Sequence, residues 1–190
     1  MAEKLSVVMA RRHIRMANVA LLVLDADEGI VALDATIAGY AHEDGRAVIV
    51  VVNKWDLNEK KLKEKRKTRK QFTEEIADEF KFMDYAPIVF TSAHEKKGTK
   101  PLFGLIREAY EEASKRIGTS ELNKFVEMLK FDRDIKIYYL TQASVRPPTF
   151  VMFTDNAKHL HFSTERFVIN QLRKRFGFKG TPIEIKAKRR

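Results

Sequence analysis

Cysteine is absent from this sequence of 190 residues, and so is any apolar run of membrane-spanning length. Without cysteine the chain has no disulfide bonds, thiolate metal ligands or cysteine nucleophiles. No segment approaches the roughly 20 apolar residues that cross a bilayer, and residues 1–18 show no signal-peptide pattern. The sequence therefore predicts a cytoplasmic protein with no membrane partner.

Glycine is scarce, and the eight glycines lack the spacing of a phosphate-binding loop. A P-loop requires G-x-x-x-x-G-K-[ST], in which backbone amides and a lysine hold the phosphates. No Asp stands three residues before a glycine, so the DxxG element that senses a γ-phosphate is absent too. Because phosphoryl transfer depends on these elements for positioning and charge stabilisation, this chain alone is expected not to hydrolyse nucleoside triphosphates. It also offers no P-loop hydroxyl for Mg²⁺.

Positive charge is concentrated in the C-terminal part of the chain. The net charge is +10, yet residues 1–116 carry 21 Lys and Arg against 19 Asp and Glu, whereas residues 117–190 carry 15 against 7. A short segment with most of the excess positive charge indicates a polyanionic partner, most commonly nucleic acid. A soluble basic domain without such a partner is the alternative.

The hydrophobic pattern of residues 1–116 predicts an α/β domain. Three continuous apolar runs of strand length alternate with helical patterns, and these runs are residues 19–26, 47–52 and 87–91. Strands that are apolar at every position are typical of a parallel sheet with helices on both faces. Functional side chains in such sheets follow the carboxyl ends of the strands, here residues 25–27, 53–56 and 92–93.

Residues 117–190 predict a second domain of the α+β class, with the order α-β-β-α-β. Its helices are expected to begin near Thr119 and to span 164–176, and its strands to span 136–143, 149–154 and 182–187. A break at Arg146-Pro147-Pro148 separates the first two strands. We therefore divide the chain into domains at 1–116 and 117–190.

Asn53-Lys54-Trp55-Asp56 directly follows the second apolar run and matches the NKxD motif that reads guanine. An aspartate in this position can accept hydrogen bonds from the ring N–H and the exocyclic amine of guanine. Adenine lacks that pair of donors and would leave the carboxylate desolvated and unpaired, which discriminates strongly. Asn53 is expected to tie loops together and reach N7, while the Lys54 stem lies along the base.

A second element, Thr91-Ser92-Ala93, ends the third apolar run. It resembles the SA motif of GTPases, in which the Ala backbone N–H meets the guanine carbonyl oxygen. The predicted guanine-binding residues are thus Asn53, Lys54, Asp56, Ser92 and Ala93. The alternative is that Asp56 caps a turn and Ser92 caps a helix, with no role in ligand binding.

The whole sequence resembles the second GTPase domain and the KH-like domain of the Der/EngA family. The matching segments follow the family's order, at residues 3–8, 17–30, 50–57, 88–93, 146–150 and 176–183. The resemblance implies a parent with two GTPase domains, GTP or GDP as ligand, and a role in maturing the large ribosomal subunit through rRNA. It also implies that an N-terminal GTPase portion, with the P-loop and the Mg²⁺ site, is missing from this chain.

That missing portion has a structural consequence for the strand at 19–26. In the resembled fold this strand is flanked by the phosphate-loop strand, so here it is expected to be an exposed apolar edge. We expect a chain that is less soluble than its composition suggests, unless it pairs with itself or with the missing portion.

Basic residues of the second domain are the predicted, weak contacts to RNA phosphates. They are Arg146, Arg173, Lys174, Arg175, Lys186, Lys188, Arg189 and Arg190. Such contacts depend on salt and carry little sequence information. KH domains clamp RNA with a GXXG loop between two helices, whereas Gly177-Phe178-Lys179-Gly180 precedes the last strand and is predicted to be a helix end and turn.

The aromatic and histidine residues of the second domain receive no role in binding. Tyr138, Phe150, Phe153 and Phe167 recur at core spacing and are predicted to be core rather than base-stacking residues. His159 and His161 have no carboxylate or Cys pattern that would complete a metal site, so none is predicted.

Three functional hypotheses are compatible with the sequence. The first is a fragment of a GTP-binding ribosome-assembly factor, and the second is an RNA- or ribosome-binding module that ignores nucleotide. The third is a truncated product with no independent function. Guanine-specific binding once the missing half is added favours the first, and salt-sensitive RNA binding that ignores nucleotide favours the second.

Overall fold

The structure is a computed structural model that describes residues 2–62, 65–129, 136–155 and 161–189. Its helices are α1 (Ala2–Met16), α2 (Ala32–Glu43), α3 (Trp55–Lys60), α4 (Arg69–Glu79), α5 (Lys100–Ser114), α6 (Thr119–Met128) and α7 (Phe162–Phe176), with one 3-10 turn at Lys81–Met83. Its strands are β1 (Val19–Asp25), β2 (Ala47–Asn53), β3 (Ile88–Phe90), β4 (Ile137–Ser144), β5 (Thr149–Thr154) and β6 (Glu184–Arg189).

The first sheet is parallel, as the sequence predicts, and its strand order is β1-β2-β3. Central strand β2 is buried from Ala47 to Val52 because both of its faces are covered. On one face, Val48, Val50 and Val52 pack with the core that contains Phe72 and Trp55. On the other, alternate side chains of β2 pack against α5. The sheet therefore places the carboxyl ends of three strands side by side.

Strand β1 lies at the edge of this sheet, since among the described residues it pairs only with β2. Leu22 and Leu24 are buried, but Leu21 and Val23 on the opposite face are 39% and 56% exposed. The exposed apolar edge expected from the sequence is therefore present in the described part of the chain. Its effect on solubility stays a prediction.

The second sheet has the order β4-β5-β6, with β4 antiparallel and β6 parallel to β5. Helices α6 and α7 cover one face of it. The elements follow the chain as α6-β4-β5-α7-β6, which confirms the predicted order α-β-β-α-β. The core under these helices is formed mainly by Leu122, Phe125, Leu140, Phe150, Met152, Val168, Leu172 and Phe178.

Phe153 is a correction to the sequence analysis. Phe150 is fully buried in the core and Phe167 packs at its margin, as predicted. Phe153 is three residues beyond Phe150, however, and a strand turns alternate side chains to opposite faces. Its ring therefore lies on the face away from the helices, where it stacks on Tyr139.

The loop at 177–180 ends α7 and also docks onto the first sheet. Gly177 follows the last helical residue with φ of 92°, which confirms the predicted helix end. The Gly180 carbonyl accepts from the Val48 N–H at 2.7 Å, and the Gly180 N–H donates to the Tyr85 carbonyl at 2.9 Å. The Phe178 N–H donates to a Glu112 carboxylate oxygen. This loop thus joins the two domains through backbone hydrogen bonds.

A cavity of about 250 Å³ lies between the two domains. His42 of α2 contributes to its wall, with Nδ1 3.0 Å from the Tyr85 hydroxyl, and Glu165 of α7 faces it from the second domain. Burial, and then the charge of Arg173, lower the pKa of His42. Protonation of this imidazole therefore opposes the docked arrangement.

Acidification is expected to weaken the folded state through His42. Its pKa is lower when folded than the ordinary value of about 6.5, so the unfolded chain binds more protons below that pH. Its contribution is complete above about pH 6.5 and is lost as the pH falls through the folded pKa. The measurement is the urea unfolding free energy at about pH 7.5 and 5.5.

The matched comparison is with His42→Gln, whose unfolding free energy should change less over this interval than that of the parent chain. Burial raises the pKa of Glu165, which opposes the His42 effect in both chains and cancels in the comparison. Exposed His94 supplies the control, His94→Gln. Equal pH dependence of the parent and His42→Gln would contradict the prediction.

Candidate functional site

The candidate site lies at the carboxyl ends of the three parallel strands. Asp25 ends β1, Asn53 ends β2, and Ser92 comes two residues after the end of β3. The parallel register places Asp25 directly beside Asn53. The sheet thus brings together the two sequence motifs, which lie about 40 residues apart in the chain.

Asn53 ties the two motif loops to each other. Its Oδ1 accepts a hydrogen bond from the Ala93 N–H at 3.1 Å and another from the Thr91 hydroxyl at 3.2 Å. The Trp55 N–H donates to the Thr91 carbonyl at 3.1 Å. The loop-tying part of the role expected for Asn53 is therefore present in the structure.

Asp56 is held in place by Ser92. The Ser92 hydroxyl donates to Asp56 Oδ1 at 2.6 Å and accepts from the Glu95 N–H at 3.0 Å. The hydrogen bond from Ser92 lowers the pKa of Asp56, so the carboxyl group is ionised at neutral pH. The second oxygen, Oδ2, faces the Lys60 ammonium at 3.4 Å.

Lys54 connects the first two strand ends. It adopts a left-handed conformation with φ of 58°, and its Nζ lies 2.6 Å from Asp25 Oδ2. This hydrogen bond lowers the pKa of Asp25, whose other oxygen accepts from the Asp27 N–H at 2.8 Å. Asp25 lies outside the NKxD motif, but it is one of the strand-end positions 25–27 at which the sequence predicts functional side chains.

A cluster of three charged residues beside Asp56 is not among the residues predicted from the sequence. Glu95 lies 2.7 Å from Lys97 Nζ and 3.7 Å from Lys60 Nζ. The first of these contacts lowers the pKa of Glu95. No short motif marks these residues. Lys60 approaches Asp56 across one turn of α3, whereas Glu95 and Lys97 do so because the loop after β3 folds back on itself.

The arrangement fits the base of a guanine nucleotide. An ionised carboxylate, an amide and a backbone N–H converge where a base edge needs acceptors and a donor. The Ala93 N–H, however, already donates to Asn53, so a bound guanine would have to share or replace that hydrogen bond. Within the described residues, no group of three or more His, Asp or Glu side chains is placed to hold a metal ion.

Comparison with known proteins identifies the family. Residues 116–188 match the family described as "KH-domain-like of EngA bacterial GTPase enzymes, C-terminal", and residues 7–112 match the "Elongation factor Tu GTP binding domain". The chain belongs to the Der/EngA family. No helix in the described part of this family member is both long enough and apolar enough to cross a membrane.

Similar proteins are the Der GTPases of staphylococci. The chain is 47% identical to "GTPase Der" of Staphylococcus carnosus (strain TM300) and 42% identical to that of Staphylococcus saprophyticus subsp. saprophyticus. It is 44% identical to that of Staphylococcus aureus (strain JH9). Each alignment covers 99% of this chain and 44% of the relative. The chain therefore spans less than half the length of these Der proteins.

The basic residues predicted to contact RNA fall into two groups in this Der/EngA chain. Lys174, Arg175, Lys186, Lys188 and Arg189 are exposed, and Arg190 lies outside the described residues. Two others have structural partners. Arg173 donates to the carbonyls of Phe178 and Thr181 in its own domain and lies 4.7 Å from the Tyr85 ring of the first domain, and Arg146 donates to the Tyr110 hydroxyl at 2.7 Å. We therefore assign Arg173 and Arg146 to the packing between the two domains.

Proposed function

We propose that this chain is the guanine-reading and RNA-contacting portion of a cytoplasmic GTP-binding factor that assembles the large ribosomal subunit. The observation that carries the proposal is the anchored Asp56 carboxylate. Its position between the NKWD and TSA loops, bonded to Ser92 at 2.6 Å, suits the two donors of a guanine edge. The membership of the chain in the Der/EngA family supports the ribosomal role.

The ligand of this site is GTP or GDP, recognised through the base. Asp56 accepts from the guanine N–H groups, Ala93 supplies a backbone donor, and Lys54 lies along the base. The phosphates and Mg²⁺ are held by residues that this sequence does not contain, since it has no P-loop spacing. When present, the metal neutralises charge on the phosphates.

The RNA-contacting part of the function belongs to the exposed cations of the second domain. Lys174, Arg175, Lys186, Lys188 and Arg189 are available for phosphate oxygens of rRNA. Arg173 and Arg146 act indirectly, by holding α7 and the loop before β5 against the first domain. Phosphate contacts of this kind give binding that weakens steeply with salt.

A parallel titration with GDP, guanosine and ADP tests the guanine-reading role. Base contacts without a phosphate cradle should give weak binding, on the order of millimolar for GDP and guanosine alike. The suitable measurement is the change in backbone amide NMR shifts, in which the signals of Ala93 and Asp56 should move. ADP should leave them unchanged because adenine lacks the paired donors.

Asp56→Ala should abolish these shifts, while Asp27→Ala, two residues beyond the end of the neighbouring strand β1, is the matched control. The Asp27 side chain is 52% exposed, so its removal should leave guanosine binding intact. If GDP binds at micromolar concentration and ADP does not bind, the proposal that this chain holds no phosphates is overturned. Equal shifts with ADP and GDP would overturn guanine recognition itself.

A nucleotide-blind RNA- or ribosome-binding module is the second candidate function. The observation that favours it is the Ala93 N–H, which already donates to Asn53 at 3.1 Å and is not free for a guanine carbonyl. In this case GDP and guanosine would move no signals at the strand ends, while RNA binding would persist with and without nucleotide.

A further inference from the structure

The outer face of the second sheet, opposite α6 and α7, carries a stacked aromatic pair beside two lysines. Tyr139 of β4 and Phe153 of β5 are register partners, with ring centroids 4.2 Å apart and planes 16° from parallel. On β6, Lys188 is the register partner of Phe153, and Lys186 is that of Val151. Because register partners point to the same side of a sheet, Tyr139, Phe153 and Lys188 form one row.

This row is separate from the domain core. Met152, which alternates with Phe153 along β5, is fully buried under the helices. Tyr139 and Phe153 are only half-buried, and Lys186 and Lys188 are exposed. Neither ring belongs to the helix-covered cluster of apolar residues. The two rings are therefore partly accessible to solvent, outside the core, and lie beside lysine side chains.

We propose that this outer sheet face binds single-stranded RNA, with a base stacked on the Tyr139–Phe153 pair and phosphates on Lys186 and Lys188. Aromatic rings bind bases of any sequence through their π faces, while neighbouring cations follow the backbone. The inference rests on the proposed RNA role and gives that role a location. It places the contact on the sheet face that the described helices leave uncovered, whereas the loop at 177–180 is occupied by the first domain.

The spacing of the groups suits an extended strand of RNA. Lys186 and Lys188 are two residues apart and so are separated by about 6.6 Å along β6. Adjacent rows of a sheet lie about 4.8 Å apart across the strands, which brings Lys188 next to Phe153. Glu184 lies 4.0 Å from Lys186 Nζ, so the positive charge on this face is strongest at Lys188.

Single strands are favoured over duplexes by the same geometry. A base must leave its neighbours to stack on a protein ring, and duplex bases are already stacked and paired. The proposed contact therefore predicts a preference for single-stranded RNA that general phosphate attraction does not produce.

The test is the affinity of the full chain for fluorescein-labelled oligouridine and oligoadenosine of about ten nucleotides, measured by fluorescence anisotropy over a range of salt concentrations. Tyr139→Leu and Phe153→Leu keep an apolar side chain but remove the ring. Each is expected to weaken binding about 5- to 150-fold without changing the salt dependence. Lys188→Gln is expected to reduce the slope of log affinity against log salt by about one.

Matched controls come from the first domain. Phe103→Leu removes an aromatic ring that is 74% exposed, and Lys70→Gln removes a cation whose side chain is 86% exposed. Both should leave RNA affinity within about twofold of the parent chain. Thermal unfolding of every variant verifies that the fold is retained, and quenching of 2-aminopurine in the RNA reports stacking independently of affinity.

The outcomes separate this inference from the proposed function. If the parent chain binds RNA but the Tyr139 and Phe153 variants bind equally well, the stacking face is wrong while the RNA role stands, and a protein partner becomes the better occupant. If the parent chain binds no RNA at low salt, both proposals are overturned. Ring-dependent quenching together with ring-dependent affinity supports the stacking face.

Discussion

Replacing Arg173 with glutamine is expected to lower the free energy of unfolding by about 2–4 kcal/mol. The guanidinium donates to the Phe178 carbonyl at 2.6 Å and to the Thr181 carbonyl at 2.8 Å, and it lies over the Tyr85 ring at 4.7 Å. Glutamine is too short to reach both carbonyls, which would lose charge-assisted hydrogen bonds in a partly buried setting. The measurement is urea denaturation with a linear extrapolation to water.

Arg175→Gln and Lys174→Gln are the matched controls for Arg173. Both residues belong to the same last turn of α7, but both are exposed, so their replacement should change stability by less than about 0.5 kcal/mol. RNA binding should show the opposite ranking: the Lys174 and Arg175 variants should lose more affinity than the Arg173 variant, because the exposed side chains can reach phosphates directly. A stable Arg173→Gln chain with weakened RNA binding would instead restore Arg173 as a phosphate contact.

Replacing Gly98 with alanine is expected to cost about 2–4 kcal/mol of folding free energy. Gly98 has φ of 72°, and an added Cβ would overlap the carbonyl oxygen of Phe90. The preceding loop returns to the sheet through paired backbone hydrogen bonds between Ser92 and Lys97, each of 3.0 Å. Relief of the clash would displace this loop, so guanosine-induced NMR shifts at Ala93 should also weaken.

Gly104→Ala is the control for Gly98. Gly104 lies within α5, and no heavy atom would lie within 4 Å of an added Cβ. Alanine is favoured over glycine inside a helix by roughly 0.5–1 kcal/mol, so this variant should gain stability in the same urea experiment. If Gly98→Ala also gained stability, the close approach of Gly98 to the β3 backbone would be contradicted.

The main elements could be predicted from the sequence because their signals are local. The apolar run from Ala47 to Val52 requires a strand buried on both faces, and the observed β2 meets that requirement. The order α-β-β-α-β follows in the same way from periodicity and from breaks at glycine and proline. NKWD and the TSA segment were identifiable because a strand end and a few residue types define them.

The orientation of Phe153 also follows from the sequence, and the prediction that Phe153 is a core residue is wrong. Phe150 and Phe153 are an odd number of residues apart, so a continuous strand places them on opposite faces. Aromatic character alone suggested a common core. The alternation of side chains along the strand, and not aromatic character, decides the position of Phe153. The core on the helix-covered face is formed by Phe150, Met152 and Leu140.

The amino-acid sequence by itself predicted the order of the helices and strands, the family, and the two motifs that meet at the strand ends. The tertiary structure alone decided which charged side chains remain available for contacts with RNA. Arg173 and Lys174 are neighbours of the same type in the sequence, yet one lies 4.7 Å from the ring of Tyr85 in the first domain and the other is exposed. The physical reason is that contacts between residues far apart in the chain depend on how helices and sheets pack, and no local pattern records that packing.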